Sequence, residues 1–180
     1  MFNLNNYLHK VILSLVLLLS TAIVNGQEKF KSDTAHFQIE FPTNYDDKLD
    51  AEDDMTVVTA TCTYKGMIIM LSAFIYKEKI PTDDYAMKIA EGIIVTADAF
   101  NSKFDPKKCI PWEIEGGYAG LQNPIKGKVK DGQGKKVKFF GNIYITIING
   151  IEYRLSIFSG SKSSFDKEVE RKYIQSFKVL

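Results

Sequence analysis

Few side chains in this sequence are of a kind that does covalent chemistry, and they are far apart. His36 is the only histidine beyond the first ten residues, and Cys62 and Cys109 are the only cysteines. A Ser-His-Asp or Cys-His relay needs its base beside a nucleophile, and His36 sits at the head of a strand pattern with no nucleophile motif around it. There is no Gly-x-Ser-x-Gly elbow, Walker loop, His-Glu-x-x-His helix or Cys-x-x-Cys pair, and zinc would find only two distant cysteines and one histidine. Glu113 and Glu115 could pair as glycosidase carboxylates, but acids two apart on a strand are common on surfaces. No catalytic residue is assigned and no cofactor is expected. A hydrolase is the least supported reading and would require Cys62, Cys109 or His36 to meet in a cleft.

Two charged stretches carry the remaining candidates. Residues 46–54 hold six acids and one Lys, and Asp50, Glu52 and Asp54 are spaced like the first ligands of an EF-hand loop. Met55 stands where that loop needs Gly and Thr61 where it needs the closing Glu, so a solvated loop is expected, with the three acids as weak cation ligands. Residues 126–138 hold six Lys and one Asp. Lys126, Lys128 and Lys130 alternate into Asp131-Gly-Gln-Gly134, and Lys135, Lys136 and Lys138 return. That pattern predicts a hairpin with lysines along one face. The lysines either guard an exposed edge against pairing or, as Lys126, Lys128, Lys130, Lys135 and Lys136, dock an acidic partner or phosphate. Cys62 and Cys109 could form a disulfide worth roughly 4 kcal/mol by loop closure. A free buried thiol at Cys62 is equally ordinary.

Residues 1–26 have the layout of a secretory signal peptide: Lys10, the apolar run Val11 to Leu19, then small and polar residues, with cleavage expected after Gly26 or else Ala22. The run is shorter than the ~20 residues of a spanning helix, and no Cys follows it to carry a lipid. The chain is therefore expected to be exported, periplasmic or secreted, without stable membrane insertion after cleavage. Residues 27–180 read as one domain. With Lys10 removed they carry 22 basic and 22 acidic residues, so nucleic acid is not an expected partner.

The elements that must position these residues follow from periodicity. Phe37, Ile39 and Phe41 alternate before Pro42. Lys65-Gly66 predicts a hairpin of 55–64 with 67–76, in which Cys62 faces Ile69 and Ala60 faces Leu71. Asn149-Gly150 predicts another, pairing Ile148 with Ile151, Thr146 with Tyr153 and Tyr144 with Leu155. Both faces of that pair are substantially apolar, which calls for cover on both sides. Tyr85, Ile89, Ile93, Ala97 and Phe100 mark one helix, capped at Thr82 or Asp83 and weakened by Gly92. Phe165, Val169, Tyr173 and Phe177 mark another, with Ser163 as N-cap. Two short strands are expected around Gly116-Gly117, with Trp112 packed under a helix.

Phe37-Gln-Ile-Glu-Phe-Pro42, Gly150-Ile-Glu-Tyr-Arg-Leu155, Phe165 and Tyr173-Ile-Gln-Ser-Phe-Lys178 together resemble the PsbP-like, or Mog1/PsbP-like, proteins. The resemblance implies a central antiparallel sheet between helical layers and leans toward binding or accessory roles, without transferring any functional residue. The expected fold is α+β: a mostly antiparallel sheet of about six strands covered by helices on both faces. The expected function is a non-enzymatic binding or accessory protein of a bacterial-type cell envelope, with an unknown protein or envelope partner. The alternative is a carrier of a small ligand or cation.

Overall fold

The computed structural model of the protein describes residues 27–100, 102, 104–130 and 136–180; residues 1–26, where a signal peptide is expected, and Lys135 fall outside them. In chain order the elements are β1 (Glu28–Ser32), β2 (Phe37–Phe41), β3 (Asp46–Ala51), β4 (Met55–Tyr64), β5 (Met67–Tyr76), α1 (Tyr85–Ala99), β6 (Ile110–Ile114), β7 (Tyr118–Lys130), β8 (Lys136–Ile148), β9 (Ile151–Ser159), α2 (Lys167–Ser176) and β10 (Lys178–Val179). Two turns set the register of the main sheet. At Lys65-Gly66 φ is 50° and 74°, and at Asn149-Gly150 it is 54° and 83°. A type I′ turn needs that left-handed pair. The pairings read from the turns are those found, Cys62 with Ile69 and Tyr144 with Leu155 among them. Gly141 faces Phe158; a Cβ there would collide with the Ile157 carbonyl.

The expectation of about six strands between helical layers is overturned. The main sheet has seven antiparallel strands in the order β3-β4-β5-β9-β8-β7-β6, and a second sheet has three, β1-β2-β10. Helix α1 covers one face of the main sheet, burying Ile89, Ile93 and Ala97 against Ile143, Ile145, Ile147 and Phe158. The opposite face is covered chiefly by the small sheet. Phe37, Ile39 and Phe41 of β2 pack there with Tyr153, Leu155 and Ile157, and Tyr173 of α2 and Phe177 just after it add to them. A layer read as helical is therefore mostly strand, because β1 and β10 contain too few apolar residues to signal themselves.

The charged loop expected over residues 46–54 begins as β3, an edge strand paired with β4 from Asp46–Thr61 to Ala51–Thr56. Its acids have poor strand propensity, but the ladder offered by β4 decides. The N-cap of α2 is Asp166, not Ser163; its carboxylate accepts from the Glu168 and Val169 backbone N–H groups at 2.9 and 3.2 Å. Helix α1 runs unbroken through Gly92, where a Cβ would lie 2.5 Å from Glu152 Oε1. Close packing, rather than helix propensity, accounts for that glycine.

Candidate functional site

The lysine hairpin forms, and its surroundings give it a distinct shape. Strand β7 is continuous for 13 residues, merging the second of the two short strands with the first lysine strand. Strand β6 pairs with β7 only through Tyr118–Gln122. Strand β9 pairs with β8 only from Phe140 onward. Beyond those limits β7 and β8 continue as a two-stranded ribbon with an open edge on either side. Pro124 is tolerated in mid-strand for this reason. The backbone N–H of Lys126, two residues on and so pointing the same way, leaves the ladder and donates to Ser102 Oγ at 3.3 Å. The missing Pro124 N–H would likewise point outward, where no strand follows.

On the ribbon Lys128 stands directly opposite Lys138, Lys130 opposite Lys136, and Lys126 opposite Phe140. Cross-strand partners share a face, so one face carries Lys126, Lys128, Lys136 and Lys138. It is the face on which Asn142 and Tyr144 look toward α2. Among the described residues no carboxylate lies within ion-pair distance of Lys126, Lys128, Lys136 or Lys138. Like charges directly opposite are unfavourable by a few tenths of a kcal/mol or more.

At its base the lysine face runs into a cleft of about 1030 Å³. Pro124, Lys126, Phe140 and Asn142 form the floor. One wall is Phe104, Asp105 and Lys108, in the segment after α1; the other is Lys162, Phe165 and Lys167, at the entry to α2. All three phenylalanines are half-buried. Lys162 Nζ stands 5.9 Å from the Phe140 ring centroid, within cation–π range. Lys108 is partly neutralised: it meets Asp105 at 3.0 Å and, helped by the Lys107 backbone N–H, holds that carboxyl below its ordinary range. The floor is tied to α2 by Glu170, whose Oε1 accepts from Asn142 Nδ2 and from the Tyr144 hydroxyl at 2.9 Å. This tie places α2 beside the cleft.

A second polar cluster lies on the opposite face, under α1. Glu152 and Arg154, two apart on β9, form an ion pair at 2.6 Å with side chains 2% and 4% exposed. Tyr76 donates to Glu152 Oε2 at 2.7 Å, Arg154 Nη1 donates to Thr96 Oγ1 at 3.3 Å, and the guanidinium lies 4.3 Å from the Phe74 ring centroid. Burial, then the Glu152 charge, pushes the Tyr76 hydroxyl well above its ordinary range. A cleft of about 780 Å³ opens beside the pair, edged by lysines and acids alike. The carboxylate is satisfied on both oxygens, so the cluster is a closed buried network.

The remaining candidates are scattered. Asp50 pairs with Lys48 at 2.6 Å, Glu52 and Asp54 lie in the turn to β4, and among the described residues no three His, Cys, Asp or Glu side chains gather as a metal site. Cys62 and Cys109 are both free. They pack on opposite faces of the main sheet, and burial pushes the Cys62 thiol up to about 12. His36 is exposed in the turn between β1 and β2, where its carbonyl accepts from the Leu180 N–H at 2.8 Å. Glu115 is tied to Lys178 at 2.9 Å. Trp112 packs edge-on to Tyr144 and beside Phe177, at centroid distances of 5.4 and 6.1 Å. Among the described residues no helix is long and apolar enough to cross a membrane.

No protein-family profile matches the chain, and no curated protein is similar to it in sequence. Its fold has solved counterparts. The solution structure of cyanobacterial PsbP from Synechocystis superposes with a TM-score of 0.58 at 12% identity, covering 91% of this chain and 99% of that one. A crystal structure from Bacteroides thetaiotaomicron gives 0.51 at 12%, covering 87% of this chain and 49% of that one, so the chain spans about half the length of that protein. At such identities the likeness is one of fold, and the fold is PsbP-like.

Proposed function

We propose that the protein is an exported, non-enzymatic binding protein that uses the lysine face of the β7–β8 ribbon to hold an acidic protein partner at the cell envelope. The carrying observation is the placement of Lys128 directly opposite Lys138, with no carboxylate among the described residues within ion-pair distance of either. Edge protection alone needs only an occasional charge. Facing lysines weaken the hairpin, and a bound run of acids would relieve the repulsion. Export rests on the signal-like leader, and the accessory role on the poverty of catalytic groups together with the PsbP-like fold. With acids and bases in balance beyond the leader, attraction of a polyanion would be a property of this face and not of overall charge.

A fluorescein-labelled Glu-Ser repeat peptide tests the proposal by anisotropy with the purified chain. Binding is expected at low salt, weakening as salt rises, and reduced about tenfold or more by Lys128→Glu with Lys138→Glu. Unchanged affinity in that double variant would remove the lysine face from the function.

A further inference from the structure

The lysine ribbon accounts for charge but not for the cleft at its base. Half-buried aromatic side chains converging on one open hollow are an exposed apolar patch, and such patches with polar rims mark places where something docks. Here Phe104, Phe140 and Phe165 line a hollow rimmed by Lys126, Lys162 and Lys167, and its floor continues without a break into the ribbon's lysine face. Lysines along one face of a strand recur every second residue, about 6.8 Å apart. An extended peptide with acids at every second position has the same pitch. The hollow lies at the end of that track, at a size that accepts a large side chain.

We propose that the acidic partner is an extended peptide segment carrying one bulky aromatic or aliphatic anchor, with alternate acids over Lys126 and over the facing Lys128 and Lys138, and its anchor seated among Phe104, Phe140 and Phe165. This rests on the lysine face being a docking surface, and adds to it a register and a sequence requirement. Three features favour the mode. Aromatic anchors in desolvated pockets dominate interface energetics while surrounding charges steer the encounter. The Glu170 bonds to Asn142 and Tyr144 hold the floor and α2 in fixed relation, so the hollow is formed before anything binds. The ammonium of Lys162 over the Phe140 ring leaves a cation beside the seat, suited to an acid adjacent to the anchor. A single-stranded nucleic acid could follow the same track by stacking its bases, but it would not prefer one anchor position.

The test compares the Glu-Ser repeat peptide with the same peptide carrying one central Trp, against the wild-type chain, Phe165→Ala, Phe140→Leu, and Lys128→Glu with Lys138→Glu. The Trp peptide is expected to bind wild type at least tenfold more tightly than the plain one. Phe165→Ala should erase that advantage while leaving the plain peptide's affinity within about twofold, and the lysine double variant should weaken both. Phe140→Leu keeps an apolar floor and guards against a folding defect in Phe165→Ala; it should lose part of the advantage. Equal binding of the two peptides to wild type would overturn the anchor while leaving the lysine surface standing. Binding of neither would overturn both, and tighter binding of oligothymidylate than of the Trp peptide would assign the track to nucleic acid.

Discussion

Buried charges are where single residues matter most in this molecule. Glu152 and Arg154 lie on the inner face of the central strand, and each is almost fully enclosed. Desolvating two ions is unfavourable by several kcal/mol, and only good geometry with additional hydrogen bonds compensates. Here that compensation comes from Tyr76, Thr96 and the Phe74 ring. Arg154→Met should therefore destabilise by about 3–5 kcal/mol, because it leaves the buried Glu152 side chain under α1 without its charge partner. Replacing the cluster as a unit, with Glu152→Leu, Arg154→Met and Tyr76→Phe, should recover most of that loss. Urea denaturation followed by Trp112 fluorescence reads both; a single variant within about 1 kcal/mol of wild type would mean that the pair is not sealed from water. Alternation along β9 does put Glu152 and Arg154 on an inward face, so their position was legible in the sequence. Their pairing was not, because Tyr76, Gly92 and Thr96 come from other elements and only the sheet order brings them together. Gly92 read as a weak point in a helix, whereas its reason is the Glu152 oxygen pressed against it.

At the scale of elements, local signals succeeded where one residue pair decides geometry and failed where a neighbour decides it. Asn149-Gly150 and Lys65-Gly66 carried their turn type and register in their own backbone preferences. β3 and β1 carried nothing comparable: Asp46-Asp-Lys-Leu-Asp-Ala51 becomes a strand because β4 presents an unpaired edge, and β1 because β2 does. The cleft was illegible for the same reason, since its floor and its two walls come from separate segments, and only Lys126 among its lysines stood out beforehand. The start of α2 shows how close two readings can lie. Ser163 and Asp166 are both good N-cap types, and the carboxylate wins by capping two N–H groups, while Ser163 sits in a hydroxyl cluster with Ser161 at 3.0 Å. Asp166→Ala should accordingly destabilise by about 1 kcal/mol, and Ser163→Ala by less than about 0.5 kcal/mol. Chemical denaturation of the two variants separates the assignments; a larger loss at Ser163 would move the cap.

Across the whole molecule the charges are sorted by sheet edge. The acids of β3 occupy one edge and the ribbon lysines lie four and five strand positions away in the order β3-β4-β5-β9-β8-β7, about 19–24 Å at ordinary strand spacing. At physiological salt the Debye length is about 8 Å, so the two ends do not screen each other and each presents its own field locally. The balance of acids and bases beyond residue 26 thus conceals two oppositely charged ends. If the lysine end is kept for binding, it should be a place where stability is given up. Lys138→Glu turns the facing pair with Lys128 from repulsive to attractive, and should raise stability by about 0.5–1 kcal/mol. The gain is electrostatic and exposed, so it should shrink as ionic strength rises from about 10 mM to 1 M and the screening length falls from roughly 30 Å to about 3 Å. The same substitution should weaken the acidic peptide. Opposite movement of stability and affinity in one variant is the signature of a surface shaped for a partner. Edge protection alone would leave nothing to lose: a variant that is more stable at low salt with unchanged peptide affinity would reduce the lysines to guards of an open ribbon.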